Sequence, residues 1–249
     1  MRRSVVATRC AVIVLGIAAL ELAARAKLAG PTLSVPPSIV VPHLFAQLGS
    51  GALAPHLARS ASEIALGFAL GALVGIPTGV VLWRVRWLAG VIEPLVAAYY
   101  AVPIFALYPV LIVLLGAGIL PIVAIGAFAA CGAIVLNTLV GLREIPRVYL
   151  AVGRTVGASR AQVVRHVVFP AAVPQLFVGL KLGFIYALIA VIAAEFILAT
   201  VGLGYEVSFH YNNFESRDMF ATMLLVIALS VGVNALLTAI ENRLRHRRA

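Results

Sequence analysis

The sequence predicts an all-α, polytopic membrane protein with about six transmembrane helices. Composition is the first reason: the 249 residues are 63% hydrophobic and 11% charged, with a mean hydropathy of +1.08, far from the half-apolar, quarter-charged mix of a soluble domain. Apolar runs of about 20 residues, enough for a helix to cross roughly 30 Å of hydrocarbon, are the second. The third is the absence of the alternating ten-residue segments that a barrel requires. A lipid-exposed backbone must satisfy its own hydrogen bonds, so the runs are read as helices. A water-soluble enzyme is excluded.

The spans are residues 5–24, 62–83, 95–116, 119–140, 176–197 and 219–240. The first is read as an uncleaved anchor; the alternative is a signal peptide with its small-residue cleavage site at Ala24-Arg25-Ala26. After it, Pro31, Pro36, Pro37 and Pro42 predict an external loop leading into a short surface helix. The second span carries Gly67, Gly71, Gly75 and Gly79 in an unbroken four-residue register, a stripe that lets another helix approach closely. Pro77 should bend its cytoplasmic end, and Arg84 to Glu93 form a basic and aromatic elbow. Pro103 and Pro109 make the third span irregular. Ala117 and Gly118 turn tightly into the fourth.

The cytoplasmic stretch 141–175 is unlike the other connections. Pro146 can open a helix carrying Arg147, Leu150 and Arg154 along one side, with Gly157 as its C-cap. Ser159 and Gln162 have capping-box spacing for a second short helix, Arg160 to Val168, which Pro170 should stop.

With the amino terminus inside, fifteen Lys and Arg residues fall on or near the cytoplasmic side, and only Arg25, Lys27, Arg59 and Arg217 fall outside. This positive-inside bias accounts for the net charge of +10 without nucleic acid. It places both termini in the cytoplasm.

Several chemistries lack their residues. Lys27 and Lys181 are the only lysines, neither follows a Gly-rich loop, and so the chain has no phosphate cradle for ATP. Gly202-Leu203-Gly204 lacks the third glycine of a dinucleotide fingerprint. His43, His56, His166, His210 and His246 show no metal-ligand spacing. Cys10 and Cys131 read as small core residues. Arg9 and Lys181 are expected to snorkel, and Glu21 with Arg25 and Arg59 with Glu63 can pair at four-residue spacing. Glu195 has no such partner and is either a functional acid or a structural cap. Tyr99, Tyr100, Tyr108, Asn137, Thr138 and Tyr186 are the polar groups of the third to fifth spans, candidates for a pathway or for helix-to-helix bonding.

Two blocks of the cytoplasmic stretch, Gly153-Arg154-Thr155-Val156-Gly157-Ala158-Ser159-Arg160 and Val167-Val168-Phe169-Pro170-Ala171-Ala172-Val173-Pro174, resemble the EAA loop of binding-protein-dependent ABC importer permeases. Gly157 matches the motif glycine, and Val167, Phe169 and Pro170 its later part; Ala151, Val152 and Gly153 stand where the family has Glu-Ala-Ala. Pro36-Pro37-Ser38, the Gly67 to Gly79 span, Glu93-Pro94-Leu95, Asn137-Thr138, Gly141-Leu142-Arg143 and Gly202-Leu203-Gly204-Tyr205 extend the resemblance to the nitrate, sulfonate and taurine group over about residues 36–245.

The resemblance implies a type I importer permease fold, with a transmembrane region at 57–241 preceded by an anchor and external loop at 1–56 and followed by a basic tail at 242–249. It implies a permease homodimer in the inner membrane, in contact with lipid, two cytoplasmic ATPase subunits and an external solute-binding protein. ATP would be bound by the partner, leaving the chain without a cofactor or catalysis of its own. Coupling would run through Arg147, Leu150, Ala151, Arg154, Gly157, Ser159, Phe169 and Pro170. A small solute, an anion by this resemblance, would pass between two copies. The alternatives are an ATP-independent transporter or channel, which calls for membrane-embedded acids and an inverted repeat, and a membrane scaffold.

Overall fold

The computed structural model describes residues 2–28, 30, 34–99, 104–146, 148–149 and 157–246, and among these there is helix but no strand. The elements are α1 (Arg2–Arg25), α2 (Pro37–Ser50), α3 (Ala54–Arg84), α4 (Arg86–Tyr99), a 3-10 turn (Ile104–Leu107), α5 (Tyr108–Leu115), α6 (Ile119–Arg143), α7 (Arg160–Val163), a π turn (Val164–Val168), α8 (Phe169–Leu198), α9 (Leu203–Asn212) and α10 (Ser216–His246). Residue contacts divide the chain into two units, Met1–Arg59 with Glu195–Leu229, and Ser60–Ala194 with Ser230–Ala249.

Among the described residues, five helical stretches are long and apolar enough to cross a membrane: Ala7–Arg25, Ala54–Arg84, Ile119–Arg143, Ala161–Asn212 and Ser216–Arg243. The expected third span, 95–116, is not one helix. It is divided among the end of α4, the 3-10 turn and α5. Proline explains the restart, because Pro109 lies in the first turn of α5, where a missing N–H costs nothing.

The short helix expected after the loop is α2, and it begins within the proline-rich stretch: Pro36 is its N-cap at φ −65°, ψ 142°, and Pro37 fills the first helical position. Gly51 ends it at φ +75°, with its N–H on the Leu48 carbonyl. Lys181 does not simply snorkel, since its Nζ lies 3.1 Å from Glu241 Oε2 and both side chains are largely buried. Glu21 and Arg25 pair at 2.7 Å.

In the unit Ser60–Ala194 with Ser230–Ala249, α6 is the central helix. Its Ile122, Ile125, Ile134 and Leu139 are essentially without solvent exposure. One side of it receives α3. Added methyl groups on Gly67, Gly71, Gly75 and Gly79 would stand 3.2 Å from Gly126, 2.7 Å from Ala130, 3.0 Å from Ile134 and 2.6 Å from Thr138. Both helices thus advance by four residues per contact, in the same direction, backbone against backbone.

The other side of α6 receives α8 in the opposite sense. Methyls on Gly179 and Gly183 would meet Asn137 at 2.6 Å and Ile134 at 2.7 Å, and those on Gly126 and Gly141 would meet Val191 at 2.8 Å and Gln175 at 2.7 Å. Lipid tails are as apolar as leucine, so association in a bilayer rests on such close packing more than on hydrophobicity. The end of α3 and helix α4 close over α6 through Leu82, Ala89, Val135 and Leu139, and Arg143 pairs with Glu93.

Candidate functional site: coupling loop and pathway residues

The loop is anchored by its apolar base. Leu142 and Ile145, at and just beyond the end of α6, pack with Val168 and Ala172, and Val80, Trp83 and Val163 pack against that cluster. Tyr149 N–H bonds the Pro146 carbonyl at 3.0 Å. Arg147, Leu150, Ala151 and Arg154 lie outside the described residues, as does Tyr100. Gly157 has φ +69°, the left-handed conformation of a helix cap, and open space around it. Its constraint is therefore dihedral, not steric.

Ser159 starts the next helix as its spacing predicts. Gln162 N–H donates to Ser159 Oγ at 3.3 Å, and Ser159 N–H donates back to Gln162 Oε1 at 2.8 Å. Pro170, however, does not stop this helix. The backbone widens into a π turn in which Phe169 N–H bonds the Val164 carbonyl, and the helix continues as α8. A π turn shifts the hydrogen-bond register by one residue, which accommodates a proline with no donor. The result is a continuous helical run from Arg160 to Leu198. Val148, Tyr149, Val164 and Phe169 stay exposed around the anchored base, Phe169 by 60%.

The polar groups of the spans are unequally placed. Tyr99 stacks on Phe128 with ring centroids 4.0 Å apart, and Tyr108 is buried. Asn137 donates to the Ala133 carbonyl at 2.8 Å and accepts from Gln175 Nε2 at 3.1 Å. Thr138 is buried against Gly79, and its hydroxyl has no hydrogen-bond partner among the described residues. Tyr186 is exposed by 39%.

Glu195 is fully buried. Its Oε2 accepts the Gly204 N–H at 2.8 Å at the start of α9, so the carboxyl group sits where the helix has unpaired donors and a positive end. A methyl on Gly202, at φ +139°, would fall 2.4 Å from this carboxyl group, so the Gly202-Leu203-Gly204 segment is shaped around it.

Comparison with known proteins gives this architecture a family. Residues 67–246 match the family described as binding-protein-dependent transport system inner membrane component. The chain belongs to that family. Its relatives include the riboflavin transport system permease protein RibX of Chloroflexus aurantiacus, 32% identical over 81% of this chain and 76% of the relative. The taurine transport system permease protein TauC of Escherichia coli is 30% identical over 86% of this chain and 81% of the relative. The nitrate import permease protein NrtB of a Synechocystis strain is 28% identical over 67% and 61%.

The fold is that of a type I importer permease: a chain from inward-facing structures of the MetNI methionine ABC transporter superposes with a TM-score of 0.68, at 20% identity, over 77% of this chain and 95% of that one. This permease is therefore a multi-pass component of the inner membrane and an ABC importer subunit.

Proposed function

We propose that two copies of this permease form the path by which a small anion of the sulfonate, taurine or nitrate type enters the cell, delivered by an external binding protein and driven by ATP hydrolysed in cytoplasmic partner subunits. The family match over residues 67–246 carries this reading. The solute class follows two of the relatives, whose names give taurine and nitrate; RibX, named for riboflavin, makes it the point to test first.

The stretch 141–175 is the surface on which the ATPase docks. It joins an exposed apolar rim, Val148, Tyr149, Val164 and Phe169, to a base clamped against α3 and α6. ATP binding would move this element with α8 and exchange inward for outward access, each state favoured by a ligand that binds it better. The chain itself needs no nucleotide or cofactor. Among the described candidates Tyr186 has the most open surface, whereas Asn137 has both its amide groups engaged within the helices.

Reconstitution with the ATPase and binding protein, followed by uptake of taurine, nitrate and riboflavin, tests the solute class. Taurine or nitrate uptake is expected, and riboflavin uptake alone overturns the anion assignment. In the same vesicles Tyr186→Phe should alter uptake with the ATPase still bound, and Asn137→Leu should lower the yield of assembled permease more than the uptake per assembled complex.

Orientation is tested separately. A cysteine placed at Asn213 should react with an impermeant maleimide from outside intact cells, and one at Ser159 should not. The opposite pattern reverses the topology.

A further inference from the structure

We propose that His210, Glu215 and Asp218 form a binding site for one divalent transition-metal ion of the zinc class. One ligand atom from each lies within 4.8 Å of the others. Ligand atoms around a tetrahedral zinc ion stand about 3.4 Å apart, so small side-chain rotations that open the His210–Glu215 contact and close the longer gaps complete the set. An imidazole with two carboxylates is a nitrogen and oxygen donor set suited to zinc and its first-row neighbours.

The groups behind these three are placed as supports of a metal site. His210 Nδ1 faces Glu215 Oε2 at 2.7 Å, while its Nε2 lies 3.1 Å from Glu206 Oε2. A carboxylate on the far nitrogen is the common second partner of a metal-bound histidine, because it fixes the ring and leaves the near nitrogen's lone pair for the ion. Glu206 is held in turn by His56: Gly202 N–H donates to His56 Nδ1 at 3.2 Å, and His56 Nε2 lies 3.1 Å from Glu206 Oε1. Asp218 is held in the same way, its Oδ1 taking Gln47 Nε2 at 2.7 Å and facing His43 Nε2 at 2.8 Å. The outer partners thus reach the cluster from α2 and the start of α3.

Three carboxyl groups, those of Glu206, Glu215 and Asp218, gather at the His210 side of the cluster, with His56 and His43 behind two of them, a donor-rich setting that suits a divalent cation. Access is open: Glu215 and Asp218 line a cavity of about 410 Å³, together with Ser34, Pro36, Phe214 and Arg217. Phe214 holds the turn between α9 and α10 at φ +59°, and a bound ion would tie the two sides of that turn together. The sequence hides the site because His210 stands five residues before Glu215, across a turn, and the supports come from distant elements.

The test uses the full chain assembled with its ATPase subunits in nanodiscs, freed of metal by chelation. Calorimetric titration with Zn²⁺ should show one ion per permease chain, and Co²⁺ should give visible absorption bands on binding. His210→Ala and Asp218→Asn should each weaken Zn²⁺ binding by more than tenfold, with Glu206→Gln weakening it about tenfold or more through the second partner. Should His210→Ala fail to assemble, Glu215→Gln, which changes an exposed side chain, serves in its place. No saturable Zn²⁺ uptake, or equal affinity in these variants and the parent chain, overturns the site and leaves a hydrogen-bonded network only. None of these measurements depends on the solute or on transport.

Discussion

Replacing Gly71 or Gly75 by leucine should abolish accumulation of folded permease. A single methyl on Gly71 already stands 2.7 Å from Ala130 Cβ and 2.9 Å from the Ala127 carbonyl oxygen, and one on Gly75 stands 3.0 Å from Ile134. Overpacking a tight core costs about 1–3 kcal/mol where neighbours can yield. Here two of the obstacles are backbone atoms of α6, which is pinned on its other side by α8, so the cost should reach the top of that range for Gly71→Ala and exceed it for leucine. Gly67→Ala should be the mildest of the series, because its nearest atoms are at 3.2 Å. Yield of monodisperse protein in detergent, with thermal unfolding of what survives, checks the order. Equal tolerance of leucine and alanine at Gly71 would remove α6 from this contact.

The second large effect is expected at the loop. Phe169→Glu should lower ATP-driven uptake by at least tenfold and release the ATPase subunits on purification, while the permease itself stays folded. Phe169 is 60% exposed, so the folded chain loses little by the change, whereas a desolvated aromatic anchor in an interface is worth about 2 kcal/mol or more, about a thirtyfold loss of affinity. Gly157→Val should reduce coupling by a different route. A β-branched residue at φ +69° carries strain of about 1–2 kcal/mol and would misdirect the helix that Ser159 begins. Co-purification of the ATPase, with its activity in the presence and absence of binding protein, separates the two. Retained partner and normal stimulation in Phe169→Glu would move docking away from this rim.

Much of this molecule could be read from its residues because membrane helices obey few rules. The stripe from Gly67 to Gly79 announced itself by strict spacing, and the Ser159 and Gln162 pair by a capping pattern that is purely local. What escaped the sequence depended on partners. The glycines opposite, Gly126, Gly141, Gly179 and Gly183, follow no unbroken repeat, and only their pairing with Val191, Gln175, Asn137 and Ile134 explains them. Proline was misjudged in both directions. Pro37 opened a helix and Pro170 was carried inside one, since whether a missing donor matters depends on the local register. Lys181 had no acid nearby in sequence, and Glu241 reaches it from sixty residues away.

The π turn at Val164–Val168 also has a mechanical meaning. By absorbing Pro170 without a break, it makes residues 160–194 one rod, about 50 Å long at 1.5 Å per residue, so that a tilt of about 5° at one tip sweeps the other through about 4 Å. Under the proposed coupling, a short stroke at one end of this rod would become a displacement of the other wide enough to admit or exclude a small solute. The rod would then be a lever whose gain is set by its length, and its stiffness rests on the close seam with α6.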